Sequence, residues 1–282
     1  MNIFYLTSII LGVAAQNIIK KPYTDKTGDK GVYFFSGITS LAAMLFFIVS
    51  SGGIEWNSGI LPYSAGFALS YTCCTVFTVI AIASGSLSLT SLIIQYSLML
   101  PTVYGLIFLK DSIGKGFIPG IVLLVISLVL INKKSEEARF SFKWIISVLL
   151  AFFGNGMCSV VQKMQQVKYD GAYKNEFMIA ALAMVVIVCG ILSIAKEKRD
   201  MKLCIKSGWL LGLICGVMNG IVNLFVMILS GKMPVALMFP LISAGGIIVT
   251  YIVSRFFYKE KLTKMQFAGF ILGIASVVFL NI

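Results

Sequence analysis

The sequence predicts an all-α integral membrane protein of ten transmembrane helices, arranged as two inverted-topology five-helix repeats. Three observations carry that prediction. First, 59% of the 282 residues are hydrophobic and only 12% are charged, with a mean hydropathy of +0.96. Soluble domains are about half apolar and about a quarter charged, so this chain has far more apolar surface than one water-facing core consumes. Second, the apolar residues fall into runs of the length a bilayer requires, roughly 20 residues per helix. Third, the end of the chain repeats its middle. "FLKDSIGKGFIPGIVLLVISLVLIN" (108–132) lies over "FYKEKLTKMQFAGFILGIASVVFLN" (257–281), which pairs Lys110 with Lys259, Gly120 with Gly269, Ser127 with Ser276 and Asn132 with Asn281.

Ten stretches qualify as spans, at 2–20, 31–50, 60–83, 86–109, 116–132, 143–163, 176–195, 208–230, 233–255 and 264–281. The opening "MNIFYLTSIILGVAAQ" lacks the positive n-region of a signal peptide and is read as the first span. Separators such as "KPYTDKTGDK", "SGGIEWNSG" and "AKEKRDMKLC" combine turn formers with charge. The third and fourth spans, and the eighth and ninth, nearly touch and require tight hairpins. The runs do not alternate apolar with polar, which excludes the strands of a membrane barrel.

The repeat extends over the whole chain. At an offset of 142, "GVAAQNIIKK" (12–21) lies over "GNGMCSVVQK" (154–163), and at 146 Gly66 meets Gly212 and the "SG" at 84–85 meets that at 230–231. Residues 1–132 thus form one five-helix unit, 133–142 a charged linker, and 143–282 the second unit. Five is odd, so the second unit enters the membrane in the opposite orientation. Inverted repeats of this kind build many secondary transporters, with the solute site near the midplane between the halves.

Other classes are set aside on chemistry. The net charge of +12 comes from lysines and arginines in short loops, a pattern that orients membrane proteins and does not bind nucleic acid. The six cysteines lie in or beside apolar runs without ligand spacing, and the chain has no histidine, so no metal site and no cofactor is expected. No buried acid pair is available for catalysis, and the chain is not expected to be an enzyme. Most basic residues lie in the odd-numbered connections, which by the positive-inside rule places both termini outside.

Each half ends on the same motif, Lys110-Asp111-xxx-Lys115-xxxx-Gly120 and Lys259-Glu260-xxx-Lys264-xxxx-Gly269, running into a final apolar helix. Pro101 precedes Asp111 by ten residues; Pro240 lies twice as far before Glu260. With ten helices in two copies, the chain resembles the drug/metabolite transporter superfamily, in its EamA-type ten-helix branch. The resemblance implies a permease or exporter of small metabolites, multi-pass in the cytoplasmic membrane, with the last helix of each half at the periphery. It also implies cytoplasmic termini, against the charge count.

Polar side chains at mid-depth mark the candidate path, because an amide in hydrocarbon requires a partner or water. They are Gln16, Asn17, Tyr71, Gln95, Tyr96, Asn155, Asn219 and Asn223. The alternative for any one of them is interhelical hydrogen bonding without a solute role. Gly208, Gly212, Gly216 and Gly220 recur every four residues and form a stripe for close helix packing. Pro101, Pro240 and Gly154 are candidate breaks or hinges.

All eleven acids fall in loops or at helix ends, and no basic residue is read at mid-depth. That pattern argues against exchange of cationic drugs for protons and against an anionic substrate. The expected function is alternating-access transport of a small neutral or zwitterionic metabolite, such as an amino acid. The alternatives are a flippase for a lipid-linked sugar and an exporter of organic cations or drugs. The expected partners are the solute and the lipid bilayer, with the chain a monomer or homodimer.

Overall fold

The computed structural model describes residues 2–109, 114–132, 141–232, 235–259 and 263–279. Among these the chain is helical throughout, with no strand. The helices are α1 (Asn2–Thr27), α2 (Val32–Ser50), α3 (Leu61–Ser84), α4 (Leu87–Tyr96), α5 (Met99–Phe108) and α6 (Phe117–Asn132). They continue as α7 (Phe142–Lys168), α8 (Lys174–Lys196), α9 (Met201–Ser230), α10 (Val235–Phe257) and α11 (Lys264–Phe279). Seven helical stretches among the described residues are long and apolar enough to cross a bilayer, and the chain is a multi-pass membrane protein. Asp111, Glu260 and the linker residues 133–140 lie outside the described residues.

The first helix runs past its expected end at residue 20, through Pro22, to Thr27. Proline cannot donate to the carbonyl four residues back, which leaves the Ile18 oxygen free. The Tyr258 hydroxyl donates to that oxygen at 3.1 Å, so the helix continues with its backbone satisfied from outside. It stops where Gly28 and Gly31 take positive φ values of 61° and 74°, conformations glycine adopts without steric cost. There the Tyr23 hydroxyl donates to Gly31 O at 2.7 Å and ties the turn down.

The predicted fourth span, 86–109, is two helices of ten residues, α4 and α5. Pro101 explains the break. It cannot donate to Ser97 O, and that carbonyl accepts instead from Leu100 N at 2.9 Å, in a tighter three-residue turn. Ser97 Oγ turns back to Ile94 O at 2.6 Å. Pro240 lies inside α10, with no break there.

The two halves interlock at both ends. Lys143, at the start of α7, pairs with Asp29, just beyond the end of α1, so α1 and α7 run in opposite directions. The Lys143 ammonium holds the Asp29 carboxyl below the usual carboxylate range. This contact contributes stability above that range and loses it as pH falls through the lowered value, and its exposure keeps the contribution small. Beside it, Lys30 pairs with Asp200 at 3.2 Å, and the buried Glu197 carboxylate accepts from Tyr33 N and Phe34 N, both at 2.8 Å. Gly31 supplies α2 with no side-chain cap, and Glu197 takes that place from the other half. At the far end, Glu176 Oε1 accepts from Glu55 N at 3.1 Å and Ser64 Oγ donates to Phe177 O at 3.1 Å.

Helix α9 packs through its glycines. Gly208 faces the Tyr23 ring, Gly212 faces Ile38, Gly216 faces Thr39 O and Ala42, and Gly220 faces Phe46. The stripe therefore seats α9 on α2 and the end of α1. Gly154 does the same for α7 on α3, where an added Cβ would stand 2.7 Å from Cys74 N and 2.8 Å from Ser70 O. Helices α6 and α11 form an outer pair. Ser127 Oγ donates to Gly269 O at 2.6 Å, and Ser276 Oγ donates to Gly120 O at 2.7 Å. Their outer faces expose Ile118, Val122, Ile126, Phe267 and Ile271, the surface a bilayer covers.

Two outcomes test this packing. Gly216→Ala places a methyl against the Thr39 carbonyl and lowers stability by about 1–3 kcal/mol, whereas Gly190→Ala, with open space around it, leaves stability unchanged or raises it by up to about 1 kcal/mol. Tyr258→Phe strands the Ile18 carbonyl and costs about 1–3 kcal/mol. Both are read as midpoints of thermal unfolding in detergent.

Candidate functional site

A cavity of about 120 Å³ lies where α1, α2, α3, α4, α7, α9 and α10 converge. Since one water needs about 10–15 Å³, the space takes several waters or one small solute. Helical periodicity explains how the wall is built. Val13, Gln16, Asn17 and Lys20 of α1 line it, as do Asn155, Cys158, Ser159 and Gln162 of α7. Both sets follow the i, i+3, i+4, i+7 spacing of a single helix face. The second set lies 142 residues after the first. From α3 come Tyr71, Cys74, Thr75 and Thr78, and from α9 Asn219, Val222, Asn223 and Val226, again one face each.

Of the eight candidate solute-contacting residues, Gln16, Asn17, Tyr71, Gln95, Asn155, Asn219 and Asn223 are on this wall. Tyr96 is not. It follows Gln95 by one residue, about 100° around the helix, and so turns away. Its hydroxyl meets Ser127 Oγ of α6 at 2.8 Å, and its ring is buried in an apolar cluster with Trp144 and Phe270. Tyr96 is a packing residue that anchors the outer pair, not a cavity residue.

The amides form one directed relay. Gln162 Nε2 donates to Asn223 Oδ1 at 2.8 Å, Asn223 Nδ2 to Asn219 Oδ1 at 3.0 Å, and Asn219 Nδ2 to Gln16 Oε1 at 2.9 Å. The relay links α7, α9 and α1. Amide oxygens and nitrogens are told apart only by their partners, and here two members of the relay settle the matter. Asn223 Nδ2 also donates to Asn219 O at 2.9 Å, and Gln16 Nε2 donates to Gly12 O at 3.3 Å. Reversing either amide would press its oxygen against a carbonyl. Three amide oxygens of the relay are therefore occupied. The Asn155 oxygen is engaged as well, by the Cys74 thiol at 3.7 Å, while Asn155 Nδ2 donates to Ser97 Oγ at the α4–α5 break, 2.7 Å away.

Other polar atoms on the wall are unpaired. Gln95 Nε2 and Ser36 Oγ have no hydrogen-bond partner, although their residues are only 3% and 1% exposed. No carboxylate lines the cavity among the described residues.

Among the wall residues that sequence reasoning missed are Gln162 and Lys20. Gln162 lies seven residues beyond Asn155, on the same helix face, and that spacing is a readable signal. Lys20 was assigned to the loop because the first span was ended at residue 20. The expectation that no basic side chain enters the path is thereby corrected: α1 continues to Thr27, which puts Lys20 about 10 Å inside the helix end and on the cavity wall. Among the described residues, no three His, Cys, Asp or Glu side chains are grouped to hold a metal.

Comparison with known proteins agrees with this architecture. No curated protein matches the chain. A protein solved by crystallography superposes with a TM-score of 0.72 at 13% identity, over 99% of this chain and 96% of the other. At that identity the likeness is one of fold. The EamA-like transporter family matches residues 142–282, half of the chain and the whole of α7 to α11. By that match, made independently of the cavity and consistent with it, the chain belongs to the EamA-like transporter family.

Proposed function

We propose that this family member moves a small, polar, non-cationic metabolite, neutral or zwitterionic, across the cytoplasmic membrane by alternating access. The observation that carries the reading is the amide relay. It joins α1 to α7 and α9 along the wall of a solute-sized cavity. Amides that served only to hold helices together would require no cavity beside them. Cationic drugs fit poorly, because no carboxylate among the described residues faces the space and a desolvated cation requires one. At about 120 Å³, the cavity is also small for the headgroup of a lipid-linked sugar.

The rocking elements in this proposal are two inverted copies, 1–132 and 143–282, joined by 133–142. Three observations support them. Helices α1 and α7 are antiparallel, with the end of one beside the start of the other. The outer pair is tied by reciprocal bonds, in which Ser127 and Ser276 each reach the carbonyl of the other's glycine. Finally, Gly12 packs on Met218 and Val222 much as Gly154 packs on Ser70 and Cys74. That places α3 over α9 at an offset of 148, two residues from the register read off Gly66 and Gly212. The α4–α5 break at Ser97 is the bend nearest the cavity and acts as a hinge.

A thermal-shift screen of the detergent-purified protein tests the reading, using amino acids, nucleosides, sugars and quaternary amines. A ligand at about 100 times its Kd stabilises the folded state by about 2.7 kcal/mol. The expected hits are neutral or zwitterionic, drive counterflow in proteoliposomes, and fail with Asn219→Leu, which removes the middle of the relay. Quaternary amines as the only hits, with proton-driven efflux, would overturn the proposal.

A further inference from the structure

Resting on the transport reading above, we infer that the cavity selects its solute by a carboxylate, and that Lys20 is the residue that reads it. Lys20 lines the cavity, and among the described residues it has no ion pair and no hydrogen-bond acceptor. Among the described residues, no carboxylate shares the cavity wall with it. The thiols of Cys74 and Cys215 are within its electrostatic reach. Lys20 is half-buried, and a cation on a cavity wall inside a membrane protein, with no acceptor of its own, is a cost that marks function. The chain tolerates that cost where a ligand supplies the missing charge.

The rest of the wall points the same way. The relay leaves three of its four amide oxygens occupied, since Gln16 Oε1, Asn219 Oδ1 and Asn223 Oδ1 each already accept a hydrogen bond. Gln95 Nε2, by contrast, is a buried donor with nothing to bond. The Ser36 hydroxyl, also unpartnered, has a proton to give. The cavity thus offers open donors and a positive charge, while four of its amide oxygens already accept a hydrogen bond. A solute that brings oxygen acceptors and one negative charge satisfies all three groups; a carboxylate on a small polar body is the simplest such species. An ammonium group on the same solute finds no carboxylate on the described wall, so the site does not select for it.

The test uses matched probes that differ only at the carboxylate, N-acetylglycine and N-acetylleucine against their primary amides. They are applied to the full-length protein in detergent and to its Lys20→Gln and Lys20→Arg variants. In the wild type, the acids raise the melting temperature and bind at least about tenfold more tightly than the amides, a gap of about 1.4 kcal/mol. Lys20→Gln abolishes that preference and Lys20→Arg retains it. Without any probe, Lys20→Gln melts at or above the wild-type temperature, because it removes an unpaired cation.

Three results would overturn the inference. One is equal binding of acids and amides, which leaves the cavity a solute site and the transport reading intact. Another is an acid preference that survives Lys20→Gln. The third is the absence of any shift with the acids, whatever the broader screen finds. Loss of stability in unliganded Lys20→Gln would also count against it, by showing that Lys20 has a structural partner.

Discussion

In the hydrocarbon of a bilayer no water takes up a hydrogen bond the protein leaves unmade, and this constraint organises the whole molecule. Two prolines of the helical spans, Pro22 and Pro101, each free a carbonyl, and each carbonyl is met. Ile18 O receives a tyrosine hydroxyl from the turn after α10, and Ser97 O receives its own chain at shorter range. The first arrangement lets a helix continue and the second breaks one. Which of the two results depends on whether another element is near enough to donate.

The same constraint explains where the few polar side chains go. The serines of the outer pair give their protons to glycine carbonyls, where the missing side chain leaves the backbone approachable. Glu197 and Glu176 spend their carboxylates on backbone N–H groups of the opposite half. Glu197 caps α2, whose own Gly31 supplies no side chain, and Glu176 holds the loop at Glu55. Some polar groups on the cavity wall stay open, among them Gln95 Nε2 and the Ser36 hydroxyl, beside the ammonium of Lys20. There a solute can supply the partner that the protein does not.

Much of this was legible in the chain itself. Apolar run length found the helical spans. The rule that polar side chains in hydrocarbon require partners found seven residues of the cavity wall, six amides and Tyr71. What could not be read was the exact end of a helix. Lys20 and Lys21 follow an apolar run and precede a proline, which reads as a stop. Only a tyrosine more than two hundred residues away turns that stop into a continuation. Tyr96 failed for the opposite reason. Its depth was right, but a single step of helix rotation separates wall from core, and rotation is set by neighbouring helices. The offset of α9 suffered likewise, since glycines mark where helices touch and not which turn of one copy answers which turn of the other.

The direction of the amide relay has one more consequence. Gln162, Asn223, Asn219 and Gln16 are joined in a fixed order, pinned at Asn223 and at Gln16 by backbone carbonyls. A chain of hydroxyls or waters passes a proton along by each member taking one and releasing another. Carboxamides do not titrate, and these cannot turn over without setting oxygen against oxygen. The amide relay is therefore an insulator for protons. A proton that crosses this cavity has to travel by another route, through a side chain that ionises, such as Lys20, or through the hydroxyls and water beside the amides.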